Sequence, residues 1–262
     1  MPVAKKMFNK IMRKVGKAIG DFDLISAGDR IAVGVSGGKD SYVLLHTLEA
    51  LRQKAPLKFE LVAINIDAGF PNYHTEQIEN HLNQYQFDYC MATTAGYQII
   101  TEKLKPGSSY CSFCARLRRG ALHSQAEKLG CNKIALGHHL DDFIETLLLN
   151  QFYGGTLSAM SAKMEASKSK HTIIRPLVYV EEATIKRYSD LLQFPIIHCA
   201  CPAIATTNQK RVRMKQLIST LAMEIPEIRS SMIAAIGNVN AHNLLDCNFS
   251  QAKVKTSSHD YC

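Results

Sequence analysis

The chain has 262 residues, long enough to bury a core without a disulfide or metal staple. Hydrophobic residues make up 46% and charged residues 21%, which excludes a mostly disordered chain, and no apolar run reaches the ~18 residues of a membrane span. Lys and Arg total 31 against 23 Asp and Glu, a net charge of +8, so a polyanionic partner is expected, nucleic acid first and acidic lipid second, with no membrane insertion.

Residues 5–20 place Met7, Phe8, Ile11, Met12, Val15 and Ile19 on one helical face, with Lys6, Lys10, Arg13, Lys14 and Lys17 over the rest. This predicts a basic amphipathic helix docked by its apolar stripe. Strand and helix signals then alternate. Short apolar strands are predicted at 30–35 (RIAVGV), 60–67 (ELVAINID), 87–92, 133–137 (KIALG) and 173–177. Helices are predicted at 40–53, 75–85, 113–129, 140–153 and 181–192, the third of them basic and ended by Gly130. Near-continuously apolar strands between helices predict an α/β fold, a doubly wound parallel sheet of Rossmann-like type. Residues 210–245 read as helical only, and a polar stretch follows. The expected organisation is an N-terminal helix over 1–24, a sheet domain over 25–200, a C-terminal helical extension over 201–248 and a flexible tail over 249–262.

Between the first strand and the next helix lie Ser36, Gly37, Gly38, Lys39, Asp40 and Ser41. Glycines at a helix N-terminus expose backbone N–H groups to an anion, Lys39 adds charge and the serines add hydroxyls. Asp40 would repel a phosphate unless a cation such as Mg²⁺ lies between them. The Walker pattern does not fit, because Asp40 follows Lys39 and the upstream glycine spacing differs. The loop resembles that of the PP-loop ATP pyrophosphatases, which implies that it holds the β- and γ-phosphates while ATP is cut to AMP and pyrophosphate. The fourth strand ends in Gly137, His138, His139, Leu140, Asp141 and Asp142. Consecutive side chains diverge, so a metal site made of all of them is disfavoured. This run resembles the second nucleotide signature of the same enzymes, with Gly137 and His138 bordering the nucleotide and Asp142 assisting Mg²⁺ or capping the helix.

The eight cysteines lack the short chain and signal peptide of a secreted disulfide framework, so reduced thiols and a cytoplasmic location are expected. Cys111 and Cys114 form a C-x-x-C pair before a helix bearing Arg116, Arg118 and Arg119. Nearby positive charge favours thiolates. Cys199 and Cys201 are the candidates for a further ligand. Three thiolates would suit an iron–sulfur cluster with one open iron, four ligands a structural zinc. Cys90 and Cys131 read as core residues.

Taken together, these blocks resemble the tRNA-cytidine(32) 2-sulfurtransferases, the tRNA 2-thiocytidine synthetases, from about Gly20 to Phe249. The resemblance rests on Gly28-Asp29-Arg30, the loop at 36–42, Cys111-Ser-Phe-Cys114 with the arginines to Gly120, residues 133–142, Phe152-Tyr153-Gly154-Gly155, Ile174-Arg175-Pro176-Leu177 and Phe194-Pro195-Ile196-Ile197. It implies an adenine-nucleotide α-hydrolase-like fold, ATP, Mg²⁺ held with Asp40, and a 4Fe–4S cluster on Cys111, Cys114 and, by the nearest match, Cys201. It also implies a homodimer acting on the tRNA anticodon loop with sulfur from a donor such as a cysteine desulfurase. The expected catalytic set is Lys39, Asp40, Cys111, Cys114 and Cys201. Three departures stand out. The second cysteine motif is one residue tighter, so Cys199 competes with Cys201; the loop at 67–71 is short; and Met160-Ser161-Ala162-Lys163 replaces a proline-containing stretch.

The mechanism this implies is adenylation of the cytosine C2 oxygen, then displacement of AMP by sulfur. Lys/Arg clusters on the first helix, at Arg116, Arg118 and Arg119, and at Lys210, Arg211, Arg213 and Lys215 are expected to grip tRNA phosphates. The competing readings are a persulfide-type thiolase, a lysidine-type ligase of the same superfamily, and a zinc-stabilised RNA-binding module.

Overall fold

The computed structural model describes residues 2–71, 73–104, 110–166, 170–197 and 209–245. The helix α1 (Pro2–Asp21) precedes a six-stranded sheet of order β3-β2-β1-β4-β6-β5. The strands are β1 (Arg30–Gly34), β2 (Glu60–Asp67), β3 (Tyr89–Thr93), β4 (Lys133–Ala135), β5 (Lys163–Glu165) and β6 (Thr172–Ile174). All neighbours pair in parallel except β5, which runs antiparallel to β6 at the edge. The chain winds outward from β1 in both directions, so the strand order reverses between β1 and β4. Loops at the carboxyl ends of these two strands splay apart there and leave a crevice.

Alternation within β1 explains the two layers. Ile31 and Val33 join one apolar cluster and Ala32 the other. The first cluster takes α2 (Lys39–Lys54), α7 (Glu182–Leu192) and the buried stripe Ile11, Val15 and Ala18 of α1. The second is covered by Leu122 and Ala126 of α5 (Tyr110–Lys128). Two further helices, α3 (Thr75–Gln84) and α4 (Gly96–Lys103), flank β3 in the chain. The helix α6 (Leu140–Leu149) buries Leu140, Ile144 and Leu148 against Met214 and Ile218 of α8 (Gln209–Glu224). Met232 and Ile233 of α9 (Ile228–Ile236) close that third cluster.

The expected doubly wound sheet with an N-terminal helix and C-terminal helices is present. Its details differ in five places. The fifth predicted strand, 173–177, stops at Ile174, because Pro176 has no N–H for the ladder and opens a 3₁₀ turn, Pro176–Tyr179. The helix predicted to run to Tyr153 ends at Leu149 and loosens into a π turn, Asn150–Gly154, closed by Gly155 in the left-handed region at φ 61°. The α4 helix and the β5 strand are not among the predicted elements. The basic helix begins at Tyr110, so the C-x-x-C pair lies within its first five residues rather than ahead of it.

Candidate active site

The loop from β1 to α2 is built around Gly37, whose φ is +79°, and a Cβ there would lie 3.2 Å from Ile78 and Ile197. Ser41 Oγ donates to the Gly38 carbonyl at 2.8 Å and accepts from the Ser36 amide at 3.2 Å. The Gly38 amide donates to Ser36 Oγ at 3.4 Å. The turn is therefore held by its own serines at the N-terminus of α2, where the helix dipole favours an anion.

Gly137 lets the second loop touch the first. A Cβ on it would stand 3.1 Å from the Asp40 carbonyl carbon and 3.2 Å from the Ser41 nitrogen, both backbone atoms that cannot swing away. The two histidines that follow diverge. His138 lines a cavity of ≈ 520 Å³ whose apolar wall is Ile64, Ile66, Ile134 and Leu136. This cavity opens at the carboxyl edge of the sheet beside Ser36 and is of a size that fits a nucleotide. His139 lines a second, charged cleft of ≈ 300 Å³ with Lys39, Asp40, Asp142, Glu182 and Lys215.

His138 Nδ1 accepts from Arg175 Nε at 3.3 Å. Burial lowers the His138 pKa to about 4, and the Arg175 and Arg211 charges push the same way against Asp142. The ring is therefore neutral at pH 7, and with Nδ1 accepting, its Nε2–H is a donor. Arg175 is only 8% exposed, donates to the Ser161 carbonyl at 2.6 Å, and has no carboxylate partner among the described residues. Burial lowers its pKa, with Arg119 adding to the effect. A buried cation with no counter-ion on a cavity wall suits an anionic ligand.

In the charged cleft, Lys39 Nζ lies 3.1 Å from Asp40 Oδ2 and 3.2 Å from Glu182 Oε1. Burial lowers the Lys39 pKa, but these two carboxylates outweigh it and the net shift is upward. Glu182 also meets Lys215 at 2.5 Å, and its pKa sits at about 2 because the two lysines overcome the upward push of burial. Burial raises the Asp40 pKa against the pull of Lys39 and His139. Asp40 Oδ1 is buried without a hydrogen-bond partner among the described residues, with His139 Nε2 at 3.8 Å. That orphaned oxygen fits Mg²⁺, which takes one or two carboxylates and completes its shell with phosphates and water. Among the described residues no three His, Cys, Asp or Glu side chains form a ready-made metal cage. Asp142 accepts from the His139 amide at 3.0 Å, a helix cap, and pairs with Arg211 at 3.3 Å.

Cys111 and Cys114 sit at i and i+3 on one face of α5, half-buried and buried respectively. Two soft sulfur donors at the positive end of a helix suit an anionic thiolate-bound metal group. The third predicted ligand, Cys201, and its competitor Cys199 lie outside the described residues, as do Cys247 and Cys262. Arg118 stands one turn beyond Cys114, roughly 6 Å along the helix, and lines the large cavity. It also lines a smaller cavity of ≈ 170 Å³ with Ser36, Gly38, Phe70 and Tyr73, its guanidinium 6.0 Å from the Tyr73 ring centre. The cysteine-bearing helix and the phosphate loop thus share one crevice. Cys90 is half-buried and Cys131 buried, both packed with the second apolar cluster, and burial raises the Cys131 thiol pKa.

His139, Glu145, Arg175 and Glu182 join the site without having been assigned to it from the sequence. Arg211 and Lys215, expected on the tRNA surface, both line the charged cleft instead. Arg175 left a trace, since a charge interrupts the apolar run predicted as a strand over 173–177, directly before a proline. The acidic pair sits within helical periodicity that also fits a solvated face.

A PP-loop domain model matches residues 7–198. The tRNA-cytidine(32) 2-sulfurtransferase of Syntrophotalea carbinolica is 57% identical over 249 residues, covering 95% of this chain and 96% of its own. The enzyme of the same name from Geobacter sulfurreducens is 54% identical, covering 91% of this chain and 93% of its own. Among solved structures, the U34-tRNA thiolase NcsA of Methanococcus maripaludis, determined with its 4Fe–4S cluster, superposes with a TM-score of 0.75. Its identity is 22%, over 93% of this chain and 82% of that one, so the likeness is one of fold. The phosphate loop, the glycine that lets the second loop reach it, and relatives this similar over nearly their whole length agree: the chain belongs to the tRNA-cytidine(32) 2-sulfurtransferase family, on a PP-loop domain.

Proposed function

We propose that this protein thiolates tRNA in the anticodon loop, replacing the C2 oxygen of cytidine 32 by sulfur at the expense of ATP. The observation that carries the reading is that a cysteine pair of cluster-binding type stands on the helix bordering the phosphate-loop crevice, in a chain whose relatives bear that name. The apolar wall of the larger cavity takes the adenosine. Ser36, Gly37, Gly38, Lys39 and Ser41 take the terminal phosphates, with Gly137 and His138 bordering the nucleotide. The C2 oxygen attacks the α-phosphate, the bond to the β-phosphate breaks, and pyrophosphate leaves into the loop. Lys39 must exchange its carboxylate partners for phosphate oxygens on binding. Asp40 would hold Mg²⁺, which supplies charge neutralisation at the phosphates. Cys111 and Cys114, with Cys201 or Cys199, would hold a 4Fe–4S cluster whose open iron supplies a binding position for sulfur. Persulfide sulfur from a donor such as a cysteine desulfurase, reduced to sulfide by two electrons from a thiol or similar reductant, displaces AMP and leaves 2-thiocytidine. The protein works in the cytoplasm as a homodimer.

The test is anaerobic reconstitution followed by mass analysis of tRNA nucleosides. Wild type binds iron and yields 2-thiocytidine at position 32. Cys111→Ser and Cys114→Ser each lose the iron and the product while keeping ATP binding. Full thiolation by an iron-free preparation would refute the cluster, and unmodified cytidine 32 with active enzyme would refute the substrate.

A further inference from the structure

We infer that Arg211, carried in by α8 of the C-terminal helices, is a phosphate clamp of the nucleotide site and that buried Glu145 positions it. This deepens the ATP reading above and rests on it. Arg211 lines both the ≈ 520 Å³ cavity and the ≈ 300 Å³ cleft, so it stands where the two meet. Adenosine in the first and phosphates in the second would place their junction at this side chain.

The guanidinium is held rather than floating. Nε donates to Glu145 Oε2 at 2.7 Å, and Nη2 lies 3.3 Å from Asp142 Oδ1 and 3.5 Å from Thr146 Oγ1. Nη1 makes no hydrogen bond to a described residue. Glu145 is 5% exposed, and among the described residues its carboxylate takes its hydrogen bond from Arg211. The helix itself is fixed by Met214 and Ile218 against α6. A tRNA-gripping arginine would face outward, whereas this one faces the first turns of α6 beside the phosphate loop.

The chemistry calls for such a group. When the substrate oxygen bonds to the α-phosphorus, the electron pair of the breaking P–O bond leaves with pyrophosphate. A planar, permanently charged fork is suited to phosphate oxygens and stabilises the charge that develops there. Arg211 would be the contacting group and Glu145 a positioning residue.

The test is equilibrium binding of α,β-methylene ATP and of inorganic pyrophosphate alone, with Mg²⁺ and without tRNA. A parallel titration follows tRNA across several salt concentrations. The expectation is that Arg211→Gln weakens both phosphate ligands by about tenfold or more, with tRNA affinity and its salt dependence unchanged. Glu145→Gln gives a smaller loss in the same direction, which a merely structural carboxylate would not. Thermal unfolding shows whether each variant folds. Should Arg211→Gln unfold, Arg211→Lys carries the test: it keeps the charge, loses the fork, and weakens both ligands by about threefold or more. Wild-type affinity for pyrophosphate in either folded Arg211 variant overturns the clamp, as does a loss confined to tRNA. Wild type binding neither phosphate ligand would instead overturn the ATP reading beneath it.

Discussion

Gly137 and Arg211 mark the two ways in which a residue enters this site. Gly137 is there for what it lacks. Its missing Cβ leaves room for the Asp40 and Ser41 backbone, 3.1–3.2 Å from where that atom would be. Gly137→Ala must push the phosphate loop away, at the ~1–3 kcal/mol typical of overpacking. The expected outcome is a lower melting temperature and weaker binding of α,β-methylene ATP, read by calorimetry. Unchanged nucleotide affinity would mean that the two loops do not act together. Backbone demands of this kind are legible in a sequence, because a glycine between a strand and a helix signals a close approach or a special turn. Arg211, Glu145 and Glu182 are not, because each acts across the fold on a partner far away in sequence.

Among the elements, the parallel strands are legible because both faces are buried, which leaves continuous apolar runs such as the buried core of β2. The edge strand β5 carries no such signal, since all three of its residues are exposed. The start of α5 is hidden for a different reason. Cysteine, serine and phenylalanine are indifferent helix formers, yet the helix takes them into its first turn. The packing of α2 on α3 holds a titratable feature that no sequence pattern announces. His46 and His81 meet at 2.9 Å between their Nε2 atoms, enclosed by Tyr42, Tyr85, Phe87 and Phe194. Burial lowers the His46 pKa to about 3, with His81 adding to the effect and Glu49 opposing it. Burial lowers that of His81 as well. A base whose folded pKa lies below its unfolded value stabilises the fold above the unfolded pKa, about 6.5, and that stability is lost as pH falls below it. The melting temperature should drop between about pH 6.5 and about pH 4, and His46→Leu should flatten that drop. An equal slope in the variant would place the acid sensitivity elsewhere.

For the whole molecule, the excess of positive charge bears on how a large polyanion meets a crevice lined partly by carboxylates. The helix α1 packs on α7, whose Glu182 lines the charged cleft. Its stripe is anchored by Phe8 stacked on Tyr188, ring centres 5.3 Å apart, and by Lys14 paired with Glu181 at 3.1 Å. Glu181 adjoins Glu182, which holds Lys39 in the charged cleft. The face opposite the stripe exposes Lys6, Lys10 and Arg13, none with an ion-pair partner among the described residues. Exposed cations on this face can take tRNA phosphates without touching the nucleotide, and each such pairing releases condensed counterions. Replacing all three by Gln should therefore weaken tRNA binding. Double-logarithmic plots of affinity against salt should become shallower by roughly 0.7–0.9 for each phosphate no longer neutralised. Binding of α,β-methylene ATP should stay as in wild type, because none of the three lines either cavity. The melting temperature should hardly move, since the stripe of Ile11, Val15 and Ala18 is untouched. A salt slope equal to that of wild type would reduce this helix face to solvated charge and shift tRNA recognition to the arginines of α5.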